Sequence, residues 1–122
     1  MTAYLRDKML GFGRSLRETT SMKLECESGV AIDSPTLPDL SRIDGEEFAI
    51  LSRDSDTYIQ CAEQDEPPWE YVLEYQEGSI QDHFRAVDGP ISLQQVVAAF
   101  SKYVNGDESW KHDFQWERMD LS

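Results

Sequence analysis

Several residue types that mark whole classes of protein are scarce in this sequence of 122 residues. It has two cysteines, Cys26 and Cys61, and two histidines, His83 and His112. The cysteines lie far apart and form no CxxC pair, so we expect reduced thiols rather than a disulfide framework. A zinc site would need further ligands at spacings that the sequence does not offer, and we predict no metal.

Long apolar runs and glycine-rich phosphate loops are also missing. Gly11 and Gly13 interrupt the first apolar stretch, so no signal peptide or membrane span is evident and we expect a cytoplasmic protein. The same two glycines lack the third glycine and the preceding strand that a dinucleotide-binding loop requires. We therefore predict no cofactor and no membrane partner.

Basic residues are few, with 11 Lys and Arg against 24 Asp and Glu, which gives a formal net charge of −13. The charge is uneven, because residues 1–24 carry +3 and residues 25–122 carry −16. A field of that sign repels nucleic acid and anionic lipid and steers basic partners toward encounter. The alternative is that the acidity only keeps the protein soluble.

The length suits one domain, because two smaller pieces would each bury too small a core. We expect a basic N-terminal helix or arm over residues 1–24, followed by a single acidic α+β domain over residues 25–122. Four apolar residues at intervals of four, three and four indicate a helical stripe in the arm: Leu5, Met9, Phe12 and Leu16. This stripe suits a helix that folds back onto the domain, a disordered arm, or a membrane-surface or partner helix.

Apolar and β-branched runs between turn residues predict strands in the acidic part of the chain. We expect the strands at residues 22–26, 48–53, 57–63, 69–76 and 80–87. Residues 28–38 are rich in turn formers and are predicted to be a loop, and residues 39–47 a short helix. Strands joined by short turns usually pair with their sequence neighbours, which favours an antiparallel meander.

The best-marked helix begins after Ser92, which forms a capping box with Gln95. Apolar residues then follow a helical spacing up to Val104, and Gly106 is a suitable stop. A loop or one helical turn and a short strand follow in residues 107–122. The predicted fold is α+β, an antiparallel meander sheet of about four to five strands packed by this C-terminal amphipathic helix.

Acidic residues cluster beside tryptophans at two places in the sequence. The first cluster lies on the predicted hairpin turn and on the loop after the second hairpin strand. Its acids are Asp54, Asp56, Glu63, Asp65 and Glu66, with Trp69 next to them. The second cluster is formed by Asp107, Glu108, Asp113 and Glu117 around Trp110 and Trp116. An aromatic anchor inside a polar rim is typical of protein interfaces, so these residues are candidate partner contacts. The alternative is that the tryptophans belong to the core.

Two further acids, Glu70 and Glu74, alternate with the aromatic residues of one predicted strand. If the aromatic residues face the core, these two acids face solvent. They then form either an acidic docking face or a solvated face with no binding role. Numerous carboxylates make accidental pairs common, and no nucleophile and base stand at a telling spacing. We therefore predict a binding protein rather than an enzyme.

Residues 71–117 contain an EYQEGS hairpin, an HFRA strand, a capped amphipathic helix and a GDESW segment. In these features the segment resembles small bacterial immunity proteins, which protect a cell against polymorphic or contact-dependent toxins. The resemblance implies a stoichiometric inhibitor that covers the active site of a basic toxin, often a nuclease, through an acidic surface. The alternatives are an adaptor or chaperone for a secreted effector, a nucleic-acid mimic, and a small hydrolytic enzyme.

Overall fold

The computed structural model describes residues 22–64, 70–87 and 91–120, so the predicted N-terminal helix or arm lies outside the described residues. The described strands are β1 (Lys23–Cys26), β2 (Ala31–Asp33), β3 (Phe48–Asp54), β4 (Thr57–Glu63), β5 (Tyr71–Glu77), β6 (His83–Ala86) and β7 (Trp116–Arg118). One α-helix, α1, spans Leu93–Val104 in these ranges, and 3-10 helices span Leu37–Ile43, Ile80–Asp82 and Glu108–His112. No described helix has the length and apolar character needed to cross a membrane.

The described strands form one antiparallel sheet of seven strands in the order β2-β1-β3-β4-β5-β6-β7. From β3 to β7 each strand pairs with its neighbour in sequence. The connections between β3 and β6 are short, whereas α1 lies between β6 and β7. The Asp54 carboxylate closes the turn after β3 by accepting a hydrogen bond of 2.8 Å from the backbone of Asp56. Gly78 turns the chain after β5 with a φ of 85°, a conformation that favours glycine. The α+β prediction is confirmed.

The sheet is larger than the four to five strands predicted, because the predicted loop at residues 28–38 contains β2 and the short C-terminal strand β7 joins the opposite edge. This strand has three residues, and of these only Ile32 packs against the core. Such a short edge strand carries almost no periodic signal. The predicted strand at residues 80–87 is also shorter than expected, since it begins with the 3-10 helix Ile80–Asp82.

The main core lies on one face of the sheet, where strand register aligns buried side chains of neighbouring strands. Leu24 is opposite Leu51 and Leu51 is opposite Ile59, and all three are 0% exposed. The buried residues of α1, among them Val96 and Phe100, belong to the same cluster. Burial of this apolar area from water provides most of the stabilisation.

The predicted start and stop of α1 are confirmed. Gln95 N–H donates to the Ser92 hydroxyl at 3.1 Å, and Ser92 N–H donates to the Gln95 side chain at 2.9 Å. The helix ends at Asn105, and Gly106 follows with a φ of 74°. The predicted helical turn and short strand at the C-terminal end are present as the 3-10 helix Glu108–His112 and β7.

The opposite face of the sheet, which we call the second face, is also buried. Its apolar part is a separate cluster of Phe48, Ile50 and Ala62, with Tyr58 and Val72 packed against it. Its polar part extends from β3 to β6 and consists of five buried side chains: Ser52, Gln60, Glu74, Gln76 and His83. The central strands are therefore buried on both faces.

Candidate functional site

Carboxylates from three separate segments meet at one end of the sheet, which we call the acidic end. It comprises Asp54, Asp56, Glu77, Asp107 and Glu108. The β3–β4 turn provides the first two residues, and Glu77 ends β5 opposite Thr57, the first residue of β4. The 3-10 helix Glu108–His112 and its preceding residue provide the last two. Sequence positions far apart are brought together here by strand pairing.

Two cations hold the segments of the acidic end together. Lys111 Nζ lies 2.5 Å from Glu77 Oε2 and 2.6 Å from Glu108 Oε1. Arg53 Nη2 lies 3.7 Å from Glu108 Oε2, and the Arg53 guanidinium stacks over the Tyr103 ring at 4.5 Å. The contacts join β3, β5, α1 and the last 3-10 helix into one surface.

Aromatic packing beneath the acidic end positions its last segment. Trp110 is 1% exposed, and its ring meets the Tyr75 ring edge-on at 4.9 Å and the Trp116 ring at 5.8 Å. Trp116 Nε1 donates to the Lys111 carbonyl oxygen at 2.9 Å. These contacts fix the position of the 3-10 helix on the sheet, and with it the positions of Glu108 and Lys111.

The acidic end keeps an excess of negative charge. Five carboxylates surround two cations, and the Glu77 and Glu108 side chains are 44% and 52% exposed. The pKa of Asp107 is lowered, chiefly because the Ser109 backbone N–H donates to its carboxylate at 2.9 Å. This carboxylate therefore stays ionised near neutral pH, and the end presents a net charge of −3 to solvent.

The described members of the first predicted acidic cluster lie at opposite ends of β4 and do not share one surface. Asp54 and Asp56 lie at one end of β4 and Glu63 at the other, a separation of about 20 Å at about 3.3 Å per residue. Glu63 instead lies near Glu70, whose carbonyl oxygen accepts a 2.8 Å hydrogen bond from Gln64 N–H. Asp54 and Asp56 join the second predicted cluster. The other members of the first cluster lie outside the described residues: Asp65, Glu66 and Trp69.

Two of the candidate contacts are buried. Glu74 was predicted to face solvent but is 0% exposed, and Trp110 is a core residue rather than an exposed contact. The cause for Glu74 is that β5 is buried on both faces, so alternation does not separate solvent from core. Glu70, which directly precedes β5, is half-buried.

Glu74 instead forms a buried pair with His83. Glu74 Oε1 lies 2.6 Å from His83 Nε2, and Gln76 Oε1 lies 3.0 Å from His83 Nδ1. Gln76 Nε2 donates to the Asp56 carbonyl oxygen at 3.2 Å, which orients the amide oxygen toward the ring. Both ring nitrogens of His83 therefore lie within hydrogen-bond distance of a side-chain oxygen.

The pair belongs to a larger polar network on the second face that the sequence reasoning missed. Tyr58 OH donates to Gln76 Oε1 at 3.1 Å, and Gln60 Nε2 donates to Glu74 Oε1 at 3.3 Å. One signal for this network was present in the sequence. The polar positions that alternate with the aromatic residues of β5 include the neutral Gln76 beside Glu74, whereas a solvated face would be more uniformly charged. Among the described residues no group of three or more His, Cys, Asp or Glu is placed to hold a metal ion.

Family models, curated proteins and solved structures were compared with the chain, and none of them matches. The residues themselves are therefore the basis for assigning a function.

Proposed function

We propose that this chain is a non-enzymatic binding protein whose acidic end contacts a basic protein partner, and that it acts as an immunity protein against a toxin. The observation that carries the proposal is the convergence of Asp54, Asp56 and Glu77 with Asp107 and Glu108 on one rigid surface. The formal net charge of −13 supports the same polarity of partner. The resemblance of residues 71–117 to immunity proteins supports the inhibitory role.

The geometry of the acidic end suits tight binding of a cationic surface. Its carboxylates come from elements fixed by aromatic packing, so little side-chain and backbone freedom is lost on association. Lys111 and Arg53 already bind Glu108, which holds the carboxylates in place before a partner arrives. Complementary charge also accelerates encounter, as the neutralisation of a toxin requires.

The proposal is tested by neutralising the acidic end. We would change Asp56→Asn, Glu77→Gln and Glu108→Gln together and use the tagged protein to capture partners from the native cell lysate. The wild type should retain one basic protein in equal amount and lose it at high salt, because screening weakens charge pairs. The triple variant should bind that protein about 30-fold or more weakly, equivalent to about 2 kcal/mol or more.

A matched control removes the same charge elsewhere. Glu27, Asp44 and Glu117 are exposed and lie outside the acidic end, so changing them to amides alters net charge by the same amount. This control should bind like the wild type. Co-expression then tests inhibition, since the captured partner should arrest growth and only the wild type and the control should restore it. Equal weakening by both variants would overturn the assignment of the site, and a harmless partner would overturn the immunity role.

A further inference from the structure

One buried polar group beneath the acidic end has no partner of its own. Tyr103 is 3% exposed, and its hydroxyl oxygen has no hydrogen-bond partner among the described residues. Buried hydroxyls in native proteins normally have a partner, because an unpaired one retains the full cost of its removal from water. An incoming group that reaches the Tyr103 hydroxyl therefore gains a hydrogen bond without breaking another one.

Contacts of the Tyr103 side chain place it directly beneath the acidic end. The Arg53 guanidinium carbon lies 4.5 Å from the centre of the Tyr103 ring, and Arg53 Nη2 lies 3.7 Å from Glu108 Oε2. On β5, Glu77 follows Tyr75 by two residues, so its side chain leaves the sheet on the face of the main core, to which Tyr103 belongs. Tyr103 therefore lies below Arg53 and on the same side of the sheet as Glu77.

The Tyr103 hydroxyl is also close to several charges of the acidic end. Burial from water is the main cause that raises the pKa of Tyr103, and the Arg53 guanidinium opposes it. Three carboxylates raise this pKa further and therefore lie near the hydroxyl: Glu77, Asp54 and Glu108. The phenol stays protonated near neutral pH, and its oxygen accepts hydrogen bonds through its lone pairs.

Arg53 indicates which kind of cation this place accepts. Its guanidinium lies over the Tyr103 ring, a contact that suits guanidinium because a planar cation stacks on an aromatic face. Its contact of 3.7 Å with Glu108 is longer than the 2.6 Å between Lys111 Nζ and the other oxygen of the same carboxylate. Because Lys111 also holds Glu108, Arg53 can move aside without releasing that carboxylate.

We propose that the acidic end contains a subsite for one arginine side chain of the partner. The incoming guanidinium takes the place of Arg53 and donates to the Tyr103 hydroxyl, and its remaining N–H groups donate to Asp54 and Glu77. This proposal rests on the proposed function, because it assigns the partner's contact to the same surface. A guanidinium has five donors in one plane and serves the hydroxyl and two carboxylates together, whereas an ammonium is a point charge with three donors.

The subsite is tested with three short peptides that differ in one side chain: acetyl-Gly-Arg-Gly-amide, its lysine analogue and its neutral citrulline analogue. Each peptide is titrated at low salt into the isotope-labelled full chain, and NMR follows the amide signals of the acidic end and the indole N–H signal of Trp110. Trp110 Nε1 is buried without a partner among the described residues, and its ring lies 5.7 Å from the Tyr103 ring. The arginine peptide should bind about fivefold or more tightly than the lysine peptide, and the citrulline peptide should not saturate the signals.

Tyr103→Phe removes the hydroxyl and leaves the ring in place. The arginine peptide should then bind about fivefold more weakly, because one hydrogen bond to a charged group is lost. The free energy of unfolding should not fall, because the hydroxyl has no partner in the free protein. Tyr71→Phe is the matched control, since Tyr71 is also buried and begins β5 at the end opposite Glu77, and it should bind the peptide like the wild type.

Arg53→Gln removes the side chain that occupies the subsite in the free protein. The arginine peptide should bind this variant about threefold or more tightly than it binds Arg42→Gln, because the contact with the Tyr103 ring no longer has to be exchanged. Arg42 is exposed on the 3-10 helix Leu37–Ile43, so its replacement removes the same charge away from the acidic end.

Several outcomes would overturn the proposal. Equal affinity for the arginine and lysine peptides, or no saturable change with either, would exclude an arginine subsite. Equal binding by the wild type and Tyr103→Phe would mean that the hydroxyl contacts only water. Equal binding by Arg53→Gln and Arg42→Gln would exclude the exchange of Arg53.

Failure of the subsite and failure of the proposed function give different results. If the subsite alone is wrong, the protein captured from lysate is still lost when Asp56, Glu77 and Glu108 are neutralised. If the immunity role alone is wrong, the captured protein is harmless to cells, whereas the purified chain still prefers the arginine peptide and loses this preference in Tyr103→Phe.

Discussion

At the scale of single residues, the buried pair of Glu74 and His83 is the least expected feature of the molecule. Both side chains are 0% exposed, and their contact of 2.6 Å lies between two central strands. A buried pair gains little net stability over apolar residues of the same size, because desolvation offsets the attraction. Its removal one side at a time is costly, since one partner is left without compensation.

We expect His83→Leu to lower the free energy of unfolding by about 3–5 kcal/mol, because it leaves the buried Glu74 side chain without its partner. Glu74→Leu should cost a similar amount for the converse reason. The double variant Glu74→Leu with His83→Leu should lose much less than the sum of the two, because no unpaired group remains. Urea denaturation of the four proteins measures the coupling.

The exposed ion pair between Lys102 and Asp113, with a contact of 2.8 Å, is a suitable comparison. Breaking it with Lys102→Met should change the unfolding midpoint far less, because solvent screens both charges. Strictly additive losses at Glu74 and His83 would show that the two side chains are not energetically coupled.

At the scale of elements, α1 is the segment in which local sequence and tertiary structure agree most closely. Its capping box, apolar spacing and terminal Gly106 each indicate the same bounds, and the structure has those bounds. The residues Val96, Ala99, Phe100 and Tyr103 form its buried stripe. Such agreement between levels is typical of an element that forms without strain.

We expect Phe100→Ala to lower the free energy of unfolding by about 3–5 kcal/mol, because Phe100 is 0% exposed and its loss leaves a cavity in the main core. Gln94→Ala is the matched control on the same helix, since Gln94 is exposed and should change stability by less than about 0.5 kcal/mol. Thermal and urea unfolding measure both variants. A small loss at Phe100 would mean that the core around it collapses to fill the space.

β5 shows the opposite relation between sequence and structure. Its alternation of aromatic and polar residues predicts one solvent-exposed face. The residues from Leu73 to Gln76 are nevertheless all buried, and successive ones lie on opposite faces of the sheet. The strand lies between β4 and β6 in the sheet, so its neighbours bring their own side chains to either face. Position within the sheet, and not the period of the strand, decides burial here.

At the scale of the whole molecule, the dominant property is the excess of negative charge. Among the described residues, Lys111 pairs with Glu77 and Glu108, and the whole sequence carries 24 Asp and Glu against 11 Lys and Arg. Arg118 pairs with Asp82 at 3.0 Å and thereby ties β7 to the turn before β6. Self-repulsion among the remaining carboxylates opposes the compact state.

We expect the urea midpoint of unfolding to rise when NaCl is increased from 0.01 M to 0.15 M, because the screening length falls from about 30 Å to about 8 Å. Screening relieves repulsion in the folded state more than in the expanded unfolded state. Potassium fluoride at equal ionic strength should give the same shift and serves as the control for specific ion binding. A midpoint that falls with salt would mean that attractive pairs outweigh the repulsion.

Much of the fold could be predicted from the sequence because the relevant interactions are local. The β3–β4 hairpin follows from two apolar runs around Asp54 and Asp56, and α1 follows from its cap, stripe and stop. The edge strand β2 could not be predicted in this way. β2 has three residues and its place in the sheet depends on pairing with β1, not on its own composition.

The sequence by itself determined the sign of the molecular charge, the α+β class and the bounds of α1, because each depends on composition or on neighbours within a few residues. Only the tertiary structure decided which acids share a surface. Strand pairing brought Asp56 close to Glu77 and separated Glu63 from both, packing of the last 3-10 helix added Glu108, and the layers of the sheet placed Glu74 in the interior beside His83. Contacts between residues distant in the chain depend on register and layer order, and no local pattern encodes these.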